Sequence, residues 1–159
     1  MTTSGQNTPS KTTPTLARIQ SFAFSGIEAV PVTVEVQVST GLPAFLVVGM
    51  ADKSVGEARE RVRAALTAMG LALPPKRILV NLVPADLIKE GAHFDLPIAF
   101  DLLVAMGLLP FEAVSSYVAV GALSLDGRVK PINGVLSAAL GAATGGLGMV
   151  CPSLQGTEA

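Results

Sequence analysis

Tryptophan is absent from these 159 residues, cysteine, histidine and tyrosine occur once each, and only 14% of the residues are charged. With Cys151 alone there is no intrachain disulfide, and one histidine without a second cysteine offers no metal-ligand spacing; both fit a reducing cytoplasm. Aromatic residues make up 4%, and the stacking platforms expected of a single-strand binder are missing near Arg59, Arg61 and Arg63. The formal charge of −1 names no polyanion and no acidic membrane as partner. No G-x-x-x-x-G-K-[ST] run occurs, and Gly141, Gly145, Gly146 and Gly148 lack the strand-then-helix context of a dinucleotide fingerprint, so no ATP site is expected. The apolar stretches 96–109 and 134–150 are short, interrupted by Asp101 or broken by glycine, which predicts a soluble chain that does not cross a membrane. The opening residues are polar and rich in Thr, Ser and Pro, neither signal nor anchor, and residues 1–15 read as a disordered tail.

What is present is apolar: half of the residues are hydrophobic and the mean hydropathy is positive. The length suits one domain. So low a charge content leaves a surface more apolar than an isolated monomer favours, which points to a missing domain or subunit.

Periodicity supplies the elements. Ala17–Phe24 reads as a strand before the Ser25-Gly26-Ile27-Glu28 turn, and Val32, Val34, Val36 and Val38 alternate with Thr33, Glu35, Gln37 and Ser39 in a second strand. Ala44–Val48 reads as the next strand of a meander. From Lys53 to Met69 the apolar residues recur at helical spacing, with Ser54 and Glu57 as a capping box and Gly70 as C-cap. Ile78–Val83 is a short buried strand, and Phe94–Met106 is a helix apolar all round, hence central. Ser116–Leu123 with Arg128–Ile132 forms a hairpin around Asp126-Gly127, Gly134–Thr144 a third helix, and Leu147–Cys151 a last strand. The order β-β-β-α-β-α-β-β-α-β describes an α+β or mixed α/β layer fold over residues 16–153, with residues 154–159 as the start of a linker.

Each cluster of chemistry-bearing residues has a plain and a functional reading. His93 would need a nucleophile and an orienting carboxylate, with Asp95 nearest in sequence; otherwise it is an ordinary loop residue. In Lys89-Glu90-Gly91-Ala92-His93-Phe94-Asp95, Asp95 caps the following helix and Lys89 pairs locally, or Lys89, Glu90 and Asp95 form a contact site for a subunit or a phosphate. Arg59, Arg61 and Arg63, with Lys76 and Arg77, interleave with Glu57 and Glu60, which suits a solvated helix face or subunit contact more than a nucleic-acid site. Asp126-Gly127-Arg128 is a turn and Cys151 a small buried hydrophobe.

Several stretches taken together resemble one family. They are Ser25-Gly-Ile-Glu-Ala-Val30, Gly41-Leu-Pro-Ala-Phe45, Val48-Gly49 with Glu57-Ala-Arg-Glu-Arg-Val-Arg-Ala-Ala65, Val80-Asn-Leu-Val-Pro-Ala-Asp86, Lys89-Glu-Gly91 with Phe94-Asp-Leu-Pro-Ile-Ala99, and Leu123-Ser-Leu-Asp-Gly127 with Gly134-Val-Leu136. From Leu16 to Pro152 the chain resembles the magnesium-chelatase-like AAA+ proteins of the YifB/ComM competence type. The resemblance implies a Lon-protease-like N-terminal domain of the ribosomal protein S5 domain 2-like fold, preceding an AAA+ module that binds ATP and Mg2+ and lies outside this chain. It implies a non-catalytic role in assembling or guiding a hexameric, ATP-driven DNA branch-migration motor, with the AAA+ module, sibling subunits and single-stranded DNA as partners. Active Lon proteases carry a serine after K-D-G-P and a lysine after P-x-G-G-x. By that register His93 stands in place of the serine and Leu136 in place of the lysine, and Ser137, one residue on, is turned by about 100° and is a poor substitute. The resemblance therefore implies a lost dyad and no peptidase in this chain; a residual peptidase and a stand-alone nucleic-acid-binding module are the alternatives.

Overall fold

A computed structural model of the chain describes residues 15–156. The tail expected over residues 1–14 and the linker residues 157–159 lie outside the described residues. The long hairpin that leads the fold is β1 (Thr15–Ser25) and β2 (Glu28–Ser39), in register from Thr15↔Val38 to Ser25↔Glu28. Thr15, expected in the tail, is thus its first paired residue. Val32, Val34, Val36 and Val38 are buried, as their alternation with polar residues requires.

The next strand corrects the expected meander. β3 (Ala44–Val48) does not pair with β2; it lies at the sheet edge, parallel to β4 (Arg77–Val83), which takes the free side of β2 in antiparallel register. The connection between them is α1 (Asp52–Ala68), the crossover that a parallel pair demands. After β4 come a 3-10 turn (Ala92–Phe94), α2 (Asp95–Ala105), β5 (Tyr117–Ala119), β6 (Ala122–Leu123), β7 (Val129–Lys130), α3 (Val135–Thr144) and β8 (Gly148–Val150). The main sheet has the order β3-β4-β2-β1-β5-β8, with β6 and β7 forming a separate ribbon. The fold is α+β with a mixed sheet.

The strand expected over residues 116–123 is broken at Val120-Gly121. The reason is a change of partner: Val120 N–H reaches the Val150 carbonyl, whereas Gly121 donates to the His93 carbonyl and accepts from Leu96 N–H, both at 3.0 Å. The expected capping box at Ser54 and Glu57 is absent as well. Helix α1 starts after Ala51, whose carbonyl accepts the Ser54 N–H at 2.8 Å, so Ser54 sits inside the first turn and no side chain caps it. The other end matches expectation, since Leu71 N–H reaches the Leu66 carbonyl and Gly70 N–H the Thr67 carbonyl, the paired bonds of a Schellman cap.

The sheet buries both faces over part of its area. Ile19, Ala23 and the β2 valines pack under α1 and α2 with Val62, Leu66, Ile98 and Leu102. On the other face Phe22, Val118 and Val120 meet Ala138 and Ala142 of α3. Gly141 allows this approach, because a Cβ there would fall 2.6 Å from the Phe22 ring.

Two expectations follow from the packing. Gly49 has φ +92° and a Cβ on it would fall 2.4 Å from the Leu82 carbonyl oxygen. Gly49→Ala is expected to cost about 3 kcal/mol in urea unfolding, through backbone displacement at β4. Asp101, inside α2, is fully buried and its two carboxyl oxygens have no hydrogen-bond partner among the described residues. Burial, reinforced by Glu35, pushes its pKa up from 3.8 to about 8. The folded chain holds this proton more tightly than the unfolded one, so the stability from the protonated form is complete below about pH 4 and is lost as pH rises through about 8. Asp101→Asn is expected to melt at a temperature that gains steadily on the parent chain across that window.

Candidate functional site

A cleft of about 540 Å3 opens where the 90–93 segment meets the 131–133 segment, with Phe24 and Gln155 completing its wall. Sequence distance hid this meeting, and the structure creates it by zipping the residues around α2 to the chain after β5. Gly121 makes the backbone bonds to His93 and Leu96 already described, and Leu123 N–H donates to Asp95 Oδ2 at 3.1 Å. On the far side Gln155 holds Ile132 by two bonds, donating to its carbonyl at 2.7 Å and accepting its N–H at 3.0 Å. The packed fold thus runs past residue 153, into the stretch expected as linker.

His93 lies at the cleft and is 7% exposed. Its Nε2 is 2.7 Å from the Phe22 carbonyl oxygen, and its ring stands 4.8 Å from the ring of Phe24 and 4.1 Å from that of Phe94. A carbonyl only accepts, so Nε2 carries the hydrogen. Burial pushes the His93 pKa down, against the Phe22 bond, and keeps the ring neutral. Leu136 sits on α3 and is 56% exposed; the cleft wall takes Asn133 from that segment. Ser137 Oγ donates to the Ile27 carbonyl at 2.9 Å.

Asp95 is fully buried and receives Arg61 through both nitrogens of a fork, Nε at 2.6 Å and Nη2 at 3.2 Å. Burial pushes the Asp95 carboxyl up while the Arg61 and Leu123 bonds pull it down; the bond to Asp95 raises Arg61. Asp95 therefore serves as the structural anchor at the start of α2, and as a surface contact residue it is corrected. Lys89 requires the same correction. It is 1% exposed, with Nζ donating to the Leu87 carbonyl at 2.8 Å and to that of Pro84, so it ties its own loop together and faces no partner. Burial pushes its ammonium down, opposed by Asp86. Glu90 alone of the three is exposed, at the cleft rim.

Arg59 and Arg63 share one face of α1, against Phe45, and Arg61 does not. Residues two apart diverge on a helix. Arg59 Nη1 donates to the Phe45 carbonyl at 3.1 Å, and Arg63 pairs with Glu60 at 3.0 Å while lying 5.7 Å over the Phe45 ring. Arg61 turns the other way, to Asp95. Sequence reasoning did not single out Phe24, Asn133 or Gln155 as cleft residues, and no local signal marks them, because their roles depend on long-range closure.

The sequence pattern of the family described as subunit ChlI of Mg-chelatase matches residues 34–154. The chain belongs to this ChlI-like family. Its relatives include YifB of Escherichia coli, 44% identical over 78% of this chain, and competence protein ComM of Haemophilus influenzae, 45% identical over 80% of it. YifB of Salmonella typhimurium is 40% identical over 90% of the chain. The ChlI-like chain spans about a quarter of the length of these relatives, 24%, 25% and 28% in the same order. Among the described residues of this ChlI-like domain no helix is long and apolar enough to cross a membrane, and no group of three or more His, Cys, Asp or Glu side chains is placed to hold a metal ion.

The geometry ranks the arginines by their effect on stability. Arg61→Ala leaves Asp95 buried without its cation and is expected to cost about 3 kcal/mol or more in chemical denaturation. Arg63→Ala, which removes an exposed pair and a cation over the Phe45 ring, is expected to cost about 1 kcal/mol or less.

Proposed function

We propose that this ChlI-like domain is a non-catalytic part of a longer Mg-chelatase-like AAA+ ATPase, where it assembles or guides a hexameric motor that migrates DNA branches during recombination. Its partners on this reading are the AAA+ module, sibling subunits and single-stranded DNA, in the cytoplasm. ATP and Mg2+ belong to the AAA+ module, since this sequence carries no phosphate-cradling loop and its described residues offer no metal-ligand group. The Lon-like, S5 domain 2-like label of the fold belongs to the same proposal.

The observation that carries this reading is the 45% identity to a competence protein across most of the chain. The cleft supports its non-catalytic half. His93 spends its Nε2 hydrogen on the Phe22 carbonyl, Leu136 is an aliphatic residue on an exposed helix face, and Ser137 is bonded to the hairpin turn at Ile27. These three side chains form no nucleophile and base pair. The engagement of Arg59 and Arg61 within the fold weighs against an independent nucleic-acid-binding module.

A domain swap tests the proposal. Deleting the matching quarter of Haemophilus influenzae ComM is expected to lower transformation frequency, and inserting residues 1–159 of this chain in its place is expected to restore it. Undiminished transformation after the deletion, or a stably expressed chimera that fails to restore it, would overturn the assignment.

A further inference from the structure

The loop after β4 carries its charges unequally. In Asp86-Leu-Ile-Lys-Glu90 the single cation is drawn inward onto the Pro84 and Leu87 carbonyls, while Asp86 and Glu90 remain exposed and Ile88 is 78% exposed between them. Glu90 and Phe24 belong both to the main cleft and to a second one of about 390 Å3 that runs beside this loop along Asp86 and Ile88. The two openings therefore adjoin at Glu90 and Phe24, with carboxylates and apolar side chains among their lining residues.

The floor of the groove asks for a donor. Because Nε2 of His93 gives its hydrogen to Phe22, Nδ1 of the neutral ring is a bare acceptor, and no donor of the described residues reaches it. Nδ1 is the edge beside Gly91, itself a lining residue: a Cβ on Gly91 would fall 2.9 Å from it. The aromatic ring of Phe24 lines the same cleft. A carboxylate, a ring nitrogen lone pair and an aromatic wall in one cleft suit a planar cation with several N–H donors, a guanidinium more than an ammonium. A phosphate would meet carboxylates and a lone pair and find no cation, since Lys89 is turned away. Of the remaining wall, Ala122, Pro131 and Ile132 are apolar and Asn133 and Gln155 carry amides, and the volume lies in the range that holds a peptide side chain with its neighbours.

We infer that this groove is a receptor for an arginine side chain carried on a polypeptide segment, with Glu90 and His93 Nδ1 as the acceptors, Phe24 as the stacking face and Pro131 and Ile132 seating a flanking apolar residue. The inference rests on the groove alone and stands or falls separately from the role in a DNA motor.

Calorimetric titration of the full 159-residue chain with acetyl-Ala-Leu-Arg-Leu-Ala-amide tests it. Saturable binding is expected, weakened about tenfold or more when citrulline replaces arginine, when free arginine amide is the probe, or in the Glu90→Gln variant. Glu90 is exposed, so this variant leaves the fold intact. The imidazole 15N spectrum supplies a readout independent of any substitution at the buried His93: the Nδ1 resonance is expected to move with the arginine peptide while Nε2 stays. No saturable heat at millimolar peptide, equal binding of the citrulline peptide or of free arginine amide, indifference to Glu90→Gln, or an unmoved Nδ1 would each overturn the inference.

Discussion

The fork between Arg61 and Asp95 fixes how the two large helices sit on the sheet. It joins the middle of α1 to the first residue of α2 with two bonds, and the same carboxylate receives the Leu123 N–H, so three parts of the chain meet at one buried anion. Desolvating a carboxylate is costly unless charge and hydrogen bonds are both returned to it, and here both are. The adjoining backbone bonds, Leu96 to Gly121 and Gly121 to His93, then hold the floor of the cleft in place.

Long periodic elements were legible in the sequence because their burial is set by neighbours in the chain. The valines of β2 and the apolar stripe of α1 announce themselves. Position in the sheet was not legible: β3 reads as a meander strand, and only the competition of β4 for the edge of β2 moves it outward. The same limit applied to the charged loop. Lys89 and Asp95 have the composition of a contact site, yet each is buried against a partner, one of them backbone carbonyls that no sequence pattern marks. In the sequence Asp101 is only an interruption of an apolar run; in the fold it is a fully buried carboxyl.

The family relation and the cleft describe different levels of the molecule. Kinship with YifB and ComM extends over most of the fold, and within that fold residues such as Gly49, lying against the Leu82 carbonyl, preserve backbone geometry. The cleft uses residues from β1, the 90–93 segment, the 131–133 segment and Gln155, and its chemistry is set by acceptors with no matching cation. The inward turn of Lys89 belongs to both levels: it secures the loop, and it leaves the surface of that loop acidic.

The bond from Arg59 to the Phe45 carbonyl has a consequence for how such domains behave at close quarters. Strand β3 ends the sheet, and an end strand offers backbone groups on which another chain can add itself as a further strand. Arg59 occupies one of the acceptors of β3 with a side chain tethered to α1, and Arg63 lies over the neighbouring ring with its charge. Copies crowded side by side are thus discouraged from adding a strand along the β3 edge of the sheet.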